Sequence, residues 1–165
     1  MKRSFLRVFC VFLLFLTACS FTVRKNPITE NFTCSFTAEY EDMHLGGIIQ
    51  RGEAGSVTLV LSSPASLNGL VCRLEGEEMT LSLGGLEYKT DVIPVAAVPR
   101  LLREVLDALR HADMHTEGEI TTCMGTVGTY TFEACVTAKE GFVQSLSVPD
   151  AKLEMQFTEV QKTER

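Results

Sequence analysis

The stretch FTCSFTAEYE, residues 32–41, alternates apolar and polar side chains over its whole length. The apolar positions are Phe32, Cys34, Phe36, Ala38 and Tyr40. Successive side chains of a β-strand point to opposite faces, so this period of two predicts a strand with one face in a core and the other in solvent. It is the clearest half-buried strand in the chain.

Farther along the chain, two glycine-containing turns predict a run of paired strands. Gly76-Glu77 and Gly84-Gly85 separate the runs 70–75, 79–83 and 86–88. Two-residue turns fix the register of a hairpin. The facing pairs that follow are Leu74 with Met79, Cys72 with Leu81, Leu70 with Leu83, Leu83 with Leu86, and Leu81 with Tyr88. Both turns keep apolar side chains on one face, which predicts an antiparallel meander.

Further strands are predicted on both sides of this meander. Val57, Leu59 and Leu61 share one face of a strand, and a short strand at 48–51 precedes it after a break at Gly46-Gly47. The C-terminal part predicts strands at 120–126, 129–138, 142–148 and 153–160, with turns between them. Their expected inward-facing side chains are Tyr130, Phe132, Ala134, Val136, Leu146, Val148, Leu153, Met155 and Phe157.

One amphipathic helix is predicted between the two groups of strands. Pro99 suits its first turn, and the apolar stripe consists of Val98, Leu101, Leu102, Val105, Leu106 and Leu109. The opposite face is charged, with Arg100–Glu104 and Arg103–Asp107 at the i,i+4 spacing that supports a helix. The stripe must lie on the sheet, because no other element offers it an apolar face.

The N-terminus has the order of a secretory signal peptide. Lys2, Arg3 and Arg7 precede an apolar run at 8–16 that is too short to span a bilayer. The next residues, Leu16-Thr17-Ala18-Cys19, look like the lipobox of bacterial lipoproteins, in which the cysteine is acylated. The resemblance implies an extracytoplasmic protein, anchored to a bacterial membrane through acylated Cys19. The expected organisation is a signal peptide (1–18), a lipidated N-terminus and tether (19–31), one β-rich domain (32–160) and a polar tail (161–165).

Composition limits the classes of partner. The net charge is −6, and loss of the three basic residues of the signal peptide would make it −9. This sign argues against nucleic acid and against electrostatic adhesion to anionic lipids. The membrane contact should therefore come from the acyl chains, and stable anchoring needs two or more of them.

Four cysteines remain in the predicted domain: Cys34, Cys72, Cys123 and Cys135. Outside the cytoplasm they could form two disulfides. The strand phases place the first two inward and the last two outward, so the simplest bridges are Cys34–Cys72 and Cys123–Cys135. A two-residue turn at 127–128 would put Cys123 opposite Phe132, so the second bridge needs a longer loop or a bulge. The alternative is four free thiols, two of them buried as small apolar side chains.

No pattern of catalytic or metal-binding residues stands out. His111 and His115 are four apart, as in helical zinc sites, but the glutamate of the metalloprotease motif is missing and the helix should be ending there. Solvent-exposed helix-end residues are therefore the expected interpretation, and lone His44 is expected to be an ordinary loop or strand residue. We predict neither an enzyme nor a cofactor.

The order of elements, together with the segment Ser63-Pro64-x-x-Leu67-x-Gly69-Leu70, resembles small bacterial lipoproteins related to the lipoprotein-localisation factor. The resemblance covers residues 32–160. It implies an α+β, mostly β fold, in which a strongly curved antiparallel sheet (a half-barrel) carries the helix on its concave face. In that family, acyl chains bind in an apolar cavity between sheet and helices.

Two main hypotheses of function follow, and an envelope enzyme is the third. The first is a non-enzymatic module that binds a lipid or other amphiphile in a pocket between sheet and helix. The second is a surface interaction protein with a filled core and no small-molecule ligand. The same ten side chains would line the pocket or fill the core: Phe32, Phe36, Tyr40, Leu59, Leu81, Leu102, Val105, Leu109, Phe132 and Phe157. The sequence does not identify a protein partner.

Overall fold

The structure is a computed structural model that describes residues 31–163. The signal peptide, Cys19 and nearly all of the predicted tether lie outside the described residues. The strands are β1 (Phe32–Tyr40), β2 (Met43–Arg51), β3 (Val57–Ser63), β4 (Val71–Glu75), β5 (Glu78–Leu83), β6 (Leu86–Thr90), β7 (Asp113–Glu117), β8 (Ile120–Val127), β9 (Tyr130–Thr137), β10 (Val143–Val148) and β11 (Leu153–Lys162). One α-helix, α1 (Val98–Ala108), continues as a short 3-10 turn, Leu109–His111.

All eleven strands form one antiparallel sheet in the order β6-β5-β4-β3-β2-β1-β11-β10-β9-β8-β7. The strand β1, predicted from residues 32–41, lies near its centre and pairs with β2 and β11. The chain thus runs outward from β1 to the β6 edge, crosses through α1 to the β7 edge, and returns to the centre. The fold is mostly β with one α-helix, as predicted.

The sheet is curved, and the contacts of α1 require it. The helix packs against β3 and β4 on one side and against β8 on the other. In a flat sheet, β3 and β8 would lie about 29 Å apart, because six strand spacings separate them. A helix with its side chains is about 10 Å wide, so a flat sheet would not bring both strands to it.

The predicted meander is confirmed in register. Leu74 faces Met79, Cys72 faces Leu81, Leu81 faces Tyr88, and Leu83 faces Leu86. The β4–β5 pairing begins at Val71, so Leu70 precedes the strand.

Three local predictions need correction. Gly46 and Gly47 do not break the chain; they lie inside β2, which pairs with β1 on one side and β3 on the other. Residues 113–117 form an edge strand that the sequence did not predict. A short polar edge strand has no apolar period by which it could be recognised. The β8–β9 turn pairs Val127 with Tyr130, one residue later than predicted, so Cys123 faces Ala134 instead of Phe132.

The core is one cluster of buried side chains from both halves of the sheet and from α1. The helix contributes Leu101, Leu102, Val105, Leu106 and Leu109, each at most 1% exposed. We call the face of the sheet that carries this cluster the inner face.

Candidate functional site

The ten side chains predicted to line a pocket or fill a core do not share one environment. Eight of them are buried in the core cluster: Phe32, Phe36, Leu59, Leu102, Val105, Leu109, Phe132 and Phe157. Tyr40 and Leu81 are half-buried. The accessible apolar surface therefore lies elsewhere on the molecule.

That surface is concentrated in one short stretch. The described residues include nine exposed large apolar side chains, and five of them fall between positions 83 and 95. These five are Leu83, Leu86, Tyr88, Val92 and Val95. Together with Leu81 we call them the apolar wing. Contiguous exposed apolar surface of this kind marks a binding site more often than scattered single residues do.

The strand residues of the apolar wing belong to the inner face. Leu81 faces Cys72, which packs against the core, and it has the same strand phase as Met79, which is 8% exposed. Exposure rises along this face, to 40% at Leu83 and 80% at Leu86. The apolar wing thus continues the core outward, past the strands that α1 covers.

The segment between β6 and α1, residues 91–97, carries the remaining side chains of the apolar wing. Its backbone is fixed at two points: the Tyr40 hydroxyl donates to the Ala96 carbonyl (3.1 Å), and Arg100 donates to the Ile93 carbonyl (2.9 Å). Burial, and secondarily the charge of Glu41, raises the pKa of the Tyr40 hydroxyl, so it remains a donor at neutral pH. Val92 and Val95 are exposed on this segment, at 80% and 46%.

Charged side chains fix the helix on the sheet. Arg51 is an inward-facing residue of β2 whose side chain is 3% exposed, and it donates to Asp107 at 2.5 Å. Arg103 donates to the Gly76 carbonyl in the β4–β5 turn and lies 3.7 Å from Glu77. The predicted Arg100–Glu104 pair is confirmed at 2.8 Å. The predicted Arg103–Asp107 pair is replaced by these contacts to the sheet, which the helical spacing alone could not indicate.

The described cysteines are free thiols. Cys34 and Cys72 are separated by β2 and β3, since Cys34 faces Ile49, Ile49 faces Leu59 and Leu59 faces Cys72. Three strand spacings are about 14 Å, whereas a disulfide needs Cα atoms within about 7 Å. The predicted Cys34–Cys72 bridge is therefore incompatible with this register.

The second predicted bridge, Cys123–Cys135, is also incompatible with the structure. Cys123 is buried on the inner face, not exposed as predicted, while Cys135 faces Thr122 and points to the outer face. Burial raises the pKa of Cys123, and of Cys72 as well. Burial raises the pKa of Cys34 to about 12.

The histidines do not converge. His111 lies in the 3-10 turn after α1 and His115 lies in β7, so the helical spacing considered for a zinc site does not exist. His44 and His115 make surface contacts with Glu39 (3.5 Å) and Glu117 (3.1 Å). Among residues 31–163, no cluster of three His, Cys, Asp or Glu side chains could hold a metal ion.

Two open clefts of about 460 Å³ each lie away from the apolar wing. Polar and charged side chains border both, including Glu39 and Glu154 in one and Lys139 and Glu140 in the other. Most of the residues that line each cleft are polar or charged, unlike those of a lipid site. Within residues 31–163, no helix is long and apolar enough to cross a bilayer.

Comparison with solved structures identifies the fold but no family. An uncharacterised conserved protein of Thermus thermophilus superposes with a TM-score of 0.55 at 12% identity, covering 84% of this chain and 82% of that one. The two proteins share a fold. No protein-family model and no curated protein sequence matches the chain.

Two weaker likenesses are to a LolA superfamily protein of Nitrosomonas europaea and to the MucA/MucB complex of Pseudomonas aeruginosa. The first has a TM-score of 0.45 at 6% identity and covers 87% of this chain and 90% of that one. The second has a TM-score of 0.45 at 17% identity and covers 79% and 51%. TM-scores below 0.5 do not establish a shared fold, so the resemblance to the lipoprotein-localisation factor stays a prediction.

Proposed function

We propose that this protein is a non-enzymatic binding module whose apolar wing takes up the acyl chain of a lipid or other amphiphile. One observation carries the proposal: five of the nine exposed large apolar side chains of the described residues lie within positions 83–95, beside the core. The five exposed side chains of the wing contribute little to packing in the described structure, and their exposure costs solubility, so a ligand is the simplest reason for them.

The proposed site lies beside α1. We propose that α1 occupies the concave face of the sheet, as its contacts with β3, β4 and β8 support. The acyl chain would lie between the helix and the inner face of β5 and β6, with half-buried Leu81 at the deep end. The apolar area of the wing would then leave water, and each buried CH₂ group would contribute about 0.8 kcal/mol.

Binding of an uncharged fluorescent probe tests this proposal. N-phenylnaphthylamine brightens in apolar sites, and we expect the unmodified protein to raise its emission saturably. Leu86→Lys combined with Tyr88→Lys should abolish the rise, because both side chains lie on the wing. Ile48→Lys is the matched control: Ile48 is 48% exposed, but it pairs with Val60 on the outer face. Equal loss in both variants, or no rise with the unmodified protein, would refute the site.

A second candidate function is protein docking at the same wing. The observation that favours it is the burial of eight of the ten predicted pocket residues in the core. Such a packed interior leaves less room for a whole acyl chain than the predicted pocket would. Lipids that fail to displace the probe would favour protein docking.

We further propose that the domain is held outside the cytoplasm by acylated Cys19, with residues 1–18 as the signal peptide and 19–31 as the tether. The predicted polar tail (161–165) is shorter than expected, because β11 continues to Lys162. The order of charged, apolar and small residues at the N-terminus supports the proposed anchor. Cys19→Ser should move the protein from the membrane to the soluble fraction of a bacterial host. An unchanged distribution would refute the anchor.

A further inference from the structure

The base of the apolar wing carries a cation that is only loosely paired. Arg103 extends from α1 to the β4–β5 turn, where its guanidinium donates to the Gly76 carbonyl. Its ion-pair partner is Glu77, at 3.7 Å, and the Glu77 side chain is 91% exposed. A pair at this distance with an exposed carboxylate is weak, because water screens the charge of Glu77. Arg103 itself is 16% exposed, so its charge is partly desolvated.

Two other arginines near the helix are engaged more closely, and Arg110 in the 3-10 turn after α1 also has an interaction partner. Arg51 is buried against Asp107 at 2.5 Å, and Arg100 is held by Glu104 at 2.8 Å and by the Ile93 carbonyl at 2.9 Å. A guanidinium has five N–H donors and binds carboxylates or phosphates in a bidentate manner. Arg103 is therefore the arginine best placed to exchange a loose surface partner for a ligand oxyanion.

Resting on the proposed function, we propose that the ligand of the apolar wing is an acyl lipid with an anionic headgroup, and that Arg103 binds this headgroup. The extended chain from Glu77 to the end of β5 at Leu83 spans about 20 Å. A lipid with its headgroup at Arg103 would lay its tail along Leu81 towards Leu83 and Leu86. The side chains along this path become more exposed with distance from Arg103, from 8% at Met79 to 40% at Leu83.

A matched pair of lipids tests the headgroup. Oleoyl lysophosphatidate and monooleoylglycerol share one acyl chain and differ in the phosphate. We expect lysophosphatidate to displace N-phenylnaphthylamine from the full-length protein about tenfold more effectively, the effect of one hydrogen bond to a charged group. Equal displacement by the two lipids would overturn the headgroup proposal while leaving the wing as a binding site. No probe binding at all would instead overturn the proposed function.

Two variants with opposite effects separate a headgroup contact from a structural role. Arg103→Gln should remove the preference for lysophosphatidate over monooleoylglycerol, measured as the ratio of the two displacements so that any change in the shared acyl site cancels. Glu77→Gln should strengthen the preference, because it removes the carboxylate that competes for Arg103, and an exposed side chain of this kind is not needed for folding. Arg73→Gln is the control, since Arg73 is an exposed cation on the outer face of the same strands. A Glu77→Gln protein with unchanged or weakened preference would overturn the proposal.

Discussion

Gly47 lies where β2 comes closest to the backbone of β3. A Cβ atom at this position would lie 2.0 Å from the Val60 carbonyl oxygen and 3.0 Å from the Leu61 Cα. Backbone atoms cannot give way as a side chain can. Gly47→Ala should therefore lower the free energy of unfolding by about 3 kcal/mol, as overpacking of a closely packed site does. Urea unfolding followed by circular dichroism measures the change.

The neighbouring glycine is the control for this prediction. At Gly46 an added Cβ would meet the Ser63 hydroxyl oxygen at 2.7 Å, and the nearest backbone atom is 3.6 Å away. The serine can rotate, so Gly46→Ala should cost clearly less. Equal costs at both positions would contradict the close approach of β2 and β3.

The Cys34 thiol should make stability fall at alkaline pH. Burial raises its pKa from the ordinary 9.0 to about 12 in the folded chain. Between these two values the unfolded chain loses the proton while the folded chain keeps it, so the free energy of unfolding falls as pH rises. The limiting slope for one such group is about 1.4 kcal/mol per pH unit, and below pH 9 the effect is absent.

Comparison of the unmodified protein with Cys34→Ala measures this contribution. Urea unfolding at several pH values from about 8.5 to 10.5 should give a shallower alkaline fall for the variant, since its thiol is gone. Cys72 and Cys123 remain and contribute in the same direction in both proteins. Parallel slopes would mean that the Cys34 thiol is accessible to solvent.

Residue environments followed from the sequence wherever alternation was regular. Residues 32–40 have the predicted burial pattern. A strand with one apolar and one polar face can bury the apolar side chains in only one pairing register. The prediction failed at Cys123 because this residue shares a strand phase with Thr121, a polar residue expected to point outward, whereas Thr121 is buried at 4% exposure. Arg51 was missed for another reason: an arginine is expected to be exposed until its partner on a distant helix is known.

At the scale of elements, the apolar wing and the helix stripe should respond differently to mutation. The described structure uses α1 for packing, so Leu102→Ala, at 0% exposure, should lower the free energy of unfolding by about 3 kcal/mol. Tyr88 is 63% exposed and Leu86 is 80% exposed, so Leu86→Ser with Tyr88→Ser should change it by no more than about 0.5 kcal/mol.

Thermal and urea unfolding of these variants distinguish a binding surface from a structural one. A wing variant that is destabilised as much as Leu102→Ala would mean that the wing packs against another part of the chain. An unchanged wing variant that no longer binds the apolar probe would support its role in binding.

The elements themselves were largely predictable. The turn glycines predicted the meander, and the apolar stripe from Val98 to Leu109 predicted the position of the helix. Strand β7 was missed because only Met114 among its five residues is apolar, and its edge position is set by pairing with β8. Strand β2 continues through Gly46-Gly47 because it pairs with β1 and β3. A local sequence pattern does not show these pairings.

At the scale of the whole molecule, the decisive feature is how much of the curved sheet one helix covers. The sequence contains the apolar residues, but it does not tell which of them α1 covers and which remain exposed. The structure places the helix against β3, β4 and β8, and leaves Leu83 at the end of β5 and the inner face of β6 exposed, whereas Met79 near the start of β5 is buried. Because α1 covers the strands of the sheet unequally, the candidate site is the apolar wing and not the predicted pocket.

Native mass spectrometry of the protein purified from a bacterial host tests the central claim most directly. If the apolar wing binds a lipid, the spectrum should contain adducts of lipid mass that organic extraction removes. These adducts should persist in Ile48→Lys and vanish in the Leu86→Lys, Tyr88→Lys variant. A clean protein mass that stays unchanged after incubation with lipids would contradict lipid binding and leave protein docking as the function of the wing.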